Sequence, residues 1–419
     1  IDASKGRGGK GAVVLELVEG GSADSSGMIE IGDVLIGCGF DASTENNMEN
    51  AFYETILDTL GQEPDRTSIK LAFERVVLVD NQDMLGITAD AKRYWEEKRE
   101  AKLRAPKALR RTPGVEPEDI RVNVKGGPLG SGSFGTVFRG TFKGQDVVLK
   151  IANKTTMAAE ELLECEMDLN YEVNSKAKGT CAKFMGCIEI DPRKGGELYN
   201  GTLTDGLWLM WANEGMFTVE QLMNKGTAQL AEAMGCTGTT ELAVTRKAMT
   251  ELMTSLSRLH AAGIVHRDVK PANLIAAEKD GGVLKLIDLG AAALCLEKPL
   301  NYYPGVGPAD PRYCKADEMY LLPTGAPRPD PKNMPKLWAA HTPDRLDCFS
   351  AGVTMMQLAV PGLRPEAALA TFMKEYATTG YDLKAWSDKV AGGGGGFKQG
   401  VLDFGALDAN GGAGGGLGQ

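Results

Sequence analysis

The sequence predicts an α+β chain: a small strand-rich unit, then a larger mixed domain that opens on strands and continues in helical and mixed segments. Three observations carry that reading. In the first eighty residues, "AVVLELV" (Ala12–Val18) and "DVLIGCG" (Asp33–Gly39) are rich in branched residues and bounded by glycine, and "SIKLAFERV" (Ser68–Val76) alternates like a half-buried strand. From Ile120, "RVNVKGGPLGSGSFGTVFRGTFKGQDVVLKIANK" reads as three strands joined by tight turns. Further on, "GIVHRDVKPANLI" (Gly263–Ile275) gathers Asp268, Lys270 and Asn273 within six residues, with Pro271 among them arguing against a regular helix. It reads as a loop that aims three polar groups at one place.

The bulk numbers bound what such a chain can do. Its 419 residues allow two or three domains, and 43% apolar content supplies a core for most of the length. A net charge of −10 argues against nucleic acid as partner, because phosphate-backbone binding needs a basic face. The eight cysteines show no C-x-x-C pair, so they are read as reduced thiols. No apolar run reaches the ~20 residues of a membrane span. A chain opening on Ile1 is read as one whose upstream segment has been removed.

Element by element, residues 1–80 form the first unit. Between its strands, "NMENAFYETILDTLG" (Asn47–Gly61) carries Ala51, Ile56, Leu57 and Leu60 at helical spacing, with Gly61 where a helix would stop. The stretch "VEGGSADSSGMIEIGDVLIGCG" (Val18–Gly39) and the order of elements resemble a PDZ domain. That resemblance implies a site for a peptide C-terminus, with a carboxylate loop near "GGKGAV" (Gly8–Val13) that departs from the family's Gly-Leu-Gly-Phe pattern. Residues 81–120 form a linker, helical up to Arg104. Its "AKRYWEEKREAKLRAPKALRR" (Ala91–Arg111) is basic, and the plain reading is a solvated connecting helix. Residues 121–390 are the large domain. The tail from 391 to 419 is glycine-rich and has few side chains to pack.

Chemistry concentrates in the large domain. "GSGSFGTV" (Gly130–Val137) has glycines at 130, 132 and 135, where bare backbone can close over phosphates and offer N–H groups. The strand-like "TVFRGTF" follows it, so the loop joins two strands and forms a lid over a nucleotide, not a dinucleotide-fold turn. Lys150 ends the third strand and needs an anionic partner. The helix expected from Met157 to Lys176 offers several glutamates. Counting back from "KFMGCIEI" (Lys183–Ile190) favours Glu172, with Glu166 second. Asp288 in "LIDLG" stands at a strand end before glycine, which suits a magnesium ligand, and Asn273 is the other protein donor. Asp268 can accept a substrate hydroxyl proton, and Lys270 can neutralise a moving phosphoryl group.

In this order the pieces resemble the protein kinase family: "GSGSFGTV", Lys150, "HRDVKPAN", "DLG", then "ADE" (Ala316–Glu318) and "DCFSAG" (Asp347–Gly352). The resemblance implies a two-lobed fold, with a small β-rich N-lobe and a larger helical C-lobe. It implies ATP and Mg2+ as cofactors and a protein hydroxyl as acceptor. "HRDVKPAN" is similar to the serine/threonine type. The nucleotide would sit under Leu129, Gly130, Ser131, Gly132, Ser133, Phe134 and Gly135. Its adenine would lie between Val137 and Ile275, beside Val148, and bond backbone near Ala212, Asn213 and Glu214.

"LWLMWANEGMFTVEQLM" (Leu207–Met223), "GTCAKFMG" (Gly179–Gly186), "DPRYCKADEMY" (Asp310–Tyr320) and "LATFMKEYATTGYDLKAWSDKV" (Leu369–Val390) resemble the chloroplast state-transition kinases. That implies thylakoid membrane proteins, antenna proteins among them, as substrates, and a place in the chloroplast stroma or on the stromal face of the thylakoid. Against this stands a kinase-shaped scaffold whose PDZ-like unit recruits partners. A small-molecule phosphotransferase is a third reading. Neither is favoured, because no metal or proton-accepting residue is missing and "DVKPAN" is kept. The segment from Gly290 to Glu318 has no serine or threonine, and Glu318 is expected to keep a structural ion pair. Activity without phosphorylation of that segment follows. Cys295 and Cys314 within it are read as buried thiols.

Overall fold

The computed structural model describes residues 109–391, apart from 124–125, 133, 154–155, 157, 192–202, 308–309 and 316–317, together with four short strands nearer the N terminus. The basic linker before residue 109, the tail past Ala391, Ser133, and most of the expected PDZ-like unit lie outside the described residues. So do the helix expected after Asn47 and the start of the candidate carboxylate loop.

The chain divides into two units, Ile1–Met84 and Leu85–Gln419. In the first, β2 (Val34–Gly39) is the hub of an antiparallel sheet. It pairs with β1 (Ala12–Val13) through Val34 and Leu35 and with β3 (Asn46–Asn47) through Gly37 and Cys38. It pairs with β4 (Lys70–Glu74) from Val34 to Gly39. β1, β2 and β4 fall inside the three runs that the strand signals marked.

The second unit begins with a six-stranded antiparallel sheet. Its strands are β5 (Ile120–Val122), β6 (Gly130–Ser131), β7 (Gly135–Phe142), β8 (Gln145–Ala152), β9 (Phe184–Ile190) and β10 (Gly206–Ala212). The order is β5-β7-β8-β10-β9, with β6 folded onto β7. Alternation along β8 sorts its side chains. Val147 and Leu149 are fully buried against Ile120, Trp208 and Met210, whereas Val148 and Lys150 face the cleft below. Helix α1 (Ala159–Lys176) runs between β8 and β9 and buries Leu162, Leu163, Glu166, Leu169, Asn170 and Val173. That spacing of three and four is one helix face.

The rest is helical. α2 (Val219–Lys225) starts at a capping box, in which the Thr218 hydroxyl accepts from the Gln221 amide and the Gln221 side chain accepts from the Thr218 amide. α3 (Thr227–Ala233) follows. α4 (Glu241–Ala261) buries Val244, Ala248, Leu252 and Leu256 four apart, the seam of the main core. Two antiparallel pairs sit on this core: β11 (Ile264–Val265) with β14 (Ala293–Leu294), and, between them in the chain, the hairpin of β12 (Leu274–Ala277) with β13 (Val283–Leu286). α5 (Met334–His341) and α6 (Asp344–Ala359) follow. α6 buries a broad face through Leu346, Asp347, Ser350, Val353, Thr354 and Gln357 and leaves Arg345, Cys348 and Met355 exposed on the other. α7 (Glu366–Thr378) and α8 (Leu383–Ala391) are the last described elements. Trp386 of α8 is fully buried edge-on to Phe372, 4.8 Å between ring centres. A β-rich lobe and a larger helical lobe thus meet at one cleft, the architecture expected. No described helix is long and apolar enough to cross a membrane.

Candidate active site

The cleft has a volume of about 380 Å³ and is lined by Gly130, Lys150, Glu166, Asn273 and Asp288, with Asp268 joined to it through Asn273. Its roof is the glycine turn. Gly130, which lines the cleft, and Gly132 have open space where a Cβ would stand. Gly135 is glycine for a different reason: a Cβ there would lie 2.8 Å from the Ile151 carbonyl on β8. Phe134 packs into the core behind the loop, and its carbonyl accepts from the Asn153 amide at 2.9 Å. Val137 lies opposite Lys150 in the register, so one residue pair sets both the roof and the lysine.

Lys150 is buried between two carboxylates. Its Nζ is 2.8 Å from Glu166 Oε2 and 2.7 Å from Asp288 Oδ1. Glu172, the first choice from sequence, is corrected to Glu166. Glu172 pairs instead with Lys176 and Lys298, both at 2.8 Å. Six residues are 600° of helix, so Glu172 points about 240° away from Glu166. Counting back from the next strand measures length and not face. Glu166 shares its face with Asn170 and Val173, and that periodicity was the signal that could have found it.

Burial pulls the Lys150 ammonium down, but the two carboxylates more than offset this and hold it charged. Asp288 is pushed up by burial and pulled further down by Lys150, to about 2. Burial raises Glu166 to about 7, against the pull of Lys150. One ammonium is shared between two carboxylates, and Glu166, 1% exposed against 46% for the Asp288 side chain, is the one left short.

The catalytic-loop cluster is equally close. Asn273 Nδ2 donates to Asp268 Oδ2 at 2.6 Å and to the Asp268 carbonyl at 2.9 Å. Lys270 Nζ lies 2.9 Å from Asp268 Oδ1. A 3-10 turn at Pro271–Asn273 makes this possible: Pro271 needs no N–H partner and turns Asn273 back toward Asp268. Burial raises the Asp268 carboxyl, partly offset by Lys270, so it is a better base than a solvated aspartate.

Two residues beside these hold left-handed backbone, Asp288 (φ 62°) and Arg267 (φ 65°). Non-glycine residues adopt it only where the surroundings impose it. At Asp288 the Gly290 amide donates to Oδ1 at 3.2 Å and steadies the turn. At Arg267 the anchor is Asp347, fully buried on α6. Its carboxylate accepts from the His266 and Arg267 amides at 2.8 Å each and contacts His260 Nε2 at 2.9 Å. Sequence reasoning had matched "DCFSAG" without assigning Asp347 this work. The signal was an acid at the spacing of the helix's apolar residues, next to Leu346 and on the same face as Ser350 and Ala351. The Arg267 guanidinium is buried, and burial lowers it to about 10. It donates to the carbonyls of Ala291, Ala292 and Val306.

The adenine end is lined by Val137, Val148, Ile275 and the Ala212–Glu214 stretch, with Leu129 exposed on the rim. The Ala212 and Asn213 amides already donate to the Lys183 and Asp146 carbonyls, which leaves the Glu214 amide as the donor to expect there. Glu214 itself is tied to Lys285 at 2.8 Å. In the segment after Asp288, Tyr302 and Tyr313 are buried, and Tyr303 lies under Arg328, 5.1 Å from its ring centre. Cys295 and Cys314 are buried free thiols, raised by burial, Cys314 to about 12. Glu318 pairs with Lys315 at 3.0 Å on the surface. Among the described residues no group of three His, Cys, Asp or Glu side chains forms a self-sufficient metal cage.

A β-lobe and a helical lobe around a lysine–glutamate pair, a glycine flap and an Asp–Lys–Asn loop define a protein kinase, and the family model of the protein kinase domain matches residues 124–307. The chain belongs to the eukaryotic-type serine/threonine protein kinases. It is similar to a Stt7 homolog from Micromonas algae, whose crystal was soaked with ATP: 68% sequence identity, TM-score 0.68, over 74% of this chain and 88% of that one. It is also similar to two Arabidopsis thaliana chloroplastic serine/threonine-protein kinases. STN8 is 36% identical over 60% of this chain and 52% of its own length, and STN7 is 33% identical over 64% and 48%. The chain spans about half the length of these curated relatives.

Proposed function

We propose that this chain is an active, ATP- and magnesium-dependent serine/threonine kinase whose substrates are thylakoid membrane proteins, antenna proteins among them, reached from the chloroplast stroma. The observation that carries the catalytic part is that Lys150, Asn273 and Asp288 line one cleft beside Gly130 of the glycine turn, with Asp268 bonded to Asn273. The donors fit magnesium. Asn273 spends its amide N–H groups on Asp268, so its carbonyl oxygen is left for a cation, and Asp288 supplies a hard, ionised carboxylate. Bound there with the triphosphate, the ion would neutralise phosphate charge. Lys150 would hold the phosphates, Asp268 would orient the acceptor hydroxyl and take its proton, and Lys270 would face the transferring group. A kinase-shaped scaffold would need one of these positions spoiled, and each carries a competent side chain.

Similarity to STN7 and STN8 supports the chloroplast setting and the substrate class. For the N-terminal unit, the PDZ-like reading with a peptide ligand rests on the resemblance of its sequence, and the antiparallel pairing of three expected strands is compatible with it. The test is incubation of the full chain with γ-labelled ATP, magnesium and isolated thylakoid membranes, followed by phosphoamino-acid analysis. Label on serine or threonine of antenna proteins is expected. Label on a generic basic protein but on no membrane protein would overturn the substrate class. Label on no protein would overturn the kinase reading.

A further inference from the structure

Lys270 is held from two sides. Its ammonium is 2.9 Å from Asp268 and 3.4 Å from Asp310 Oδ2, which arrives from the segment after Asp288, forty residues along the chain. Asp310 is itself clamped. The Arg312 backbone N–H (3.1 Å) and Nε (2.9 Å) donate to its Oδ1, and Arg312 Nη2 (2.8 Å) donates to its Oδ2. The last nitrogen of that guanidinium, Nη1, reaches Glu366 at the start of α7. The result is a row of alternating charge, Asp268, Lys270, Asp310, Arg312, Glu366, running from the cleft to solvent. Arg312 does not leave for the cleft, since its fork is filled by two carboxylates. Burial would raise Asp310, but Arg312 and Lys270 pull it below the ordinary carboxylate range, so it stays ionised.

A lysine ammonium on a four-carbon stem samples many rotamers unless something fixes it. One carboxylate fixes its distance, and a second, on another element, fixes its direction. We propose that Asp310 is a positioning residue for phosphoryl transfer, acting through Lys270 to set where the ammonium stands beside Asp268. This deepens the protein kinase reading and rests on it. In the transfer, the acceptor oxygen forms its bond to the γ-phosphorus as the bond to the β,γ-bridging oxygen breaks and ADP leaves. The acceptor proton goes to Asp268. Asp310 makes no bond and takes no proton; it holds the charge that meets the moving group. The same contacts dock the segment onto the catalytic loop, although it contains no serine or threonine to phosphorylate between Gly290 and Glu318.

The test uses the full chain with Asp310→Asn, Lys270→Ala and the pair combined. Asp310→Asn should lower kcat by about tenfold to a hundredfold, leave ATP affinity unchanged, and keep the chain folded at the assay temperature. The double variant should be no slower than Lys270→Ala alone, because the first residue acts through the second. Additive losses, or an unchanged kcat, would overturn the proposal. A second readout does not depend on turnover: the rate at which an amine reagent labels Lys270, followed by mass spectrometry. Labelling should be faster in Asp310→Asn, and an equal rate would refute this inference alone. A parent chain that phosphorylates no protein would refute the kinase reading.

Discussion

At the scale of single residues, the site is governed by how charge is shared around Lys150. Glu166→Ala should lower kcat/KM for ATP by about tenfold or more, because Lys150 keeps only Asp288 and loses the buried partner that fixes its direction. Glu172→Ala, whose partners are two surface lysines, should change it by less than about twofold. Steady-state kinetics over ATP concentration compares the two directly. A reversed order would return the role to Glu172. The same glutamate carries a pH signature. Its value rises from 4.5 unfolded to about 7 folded, so the folded state binds the extra proton between those pH values. Its ionisation therefore costs stability as pH rises through that window. Glu166→Gln, which cannot ionise, should gain thermal midpoint relative to the parent from pH 4.5 to 7 and hold the gain above it, even as activity is lost. Melting curves at four or five pH values would show it, and a difference that stays flat would contradict the charge sharing described. Asp288 runs the opposite way. Its carboxylate contributes stability above about pH 4 that fades as pH falls toward 2.

At the scale of elements, each side chain is aimed by a local device, and the devices differ in how readable they are. The β-strands and the glycine lid were legible because alternation and glycine punctuation are short-range signals. The catalytic trio in Gly263–Ile275 was legible because proline and spacing act within one turn. The partner of Lys150 was not, since choosing Glu166 over Glu172 depends on which face of α1 the sheet covers. Asp347 was missed for a similar reason: nothing within α6 shows that its carboxylate reaches two amides some eighty residues earlier. Its removal should be severe. Asp347→Ala strands the buried His266 and Arg267 amides and frees an αL turn, at a cost of several kcal/mol. Chemical denaturation should show the loss, and a midpoint close to the parent's would mean that the turn holds itself. Gly135→Ala tests the lid more gently, since its Cβ would press on the Ile151 carbonyl and push β7 from β8.

At the scale of the whole molecule, the two lobes form a cleft whose catalytic side is already assembled. The segment from Gly290 to Glu318 is held by Arg267 on three carbonyls, by Asn301 on the Ala292 carbonyl at 2.9 Å, and by the ion pairs of Asp310. Tyr302 and Tyr313 are buried and cannot receive phosphate without the segment opening. Phosphatase treatment should therefore leave initial rates unchanged. A large loss, with a phosphotyrosine mapped to this segment, would show that the assembly is switched. The central claim is that the side chains at 150, 268, 273 and 288 divide the work, one holding phosphate, one taking the proton and two holding metal. The most direct measurement is the kcat and ATP affinity of Asp268→Asn beside the parent chain. A fall in kcat of about a hundredfold to ten-thousandfold with ATP affinity retained is the predicted result. Lost ATP binding with undiminished turnover per bound nucleotide would contradict it.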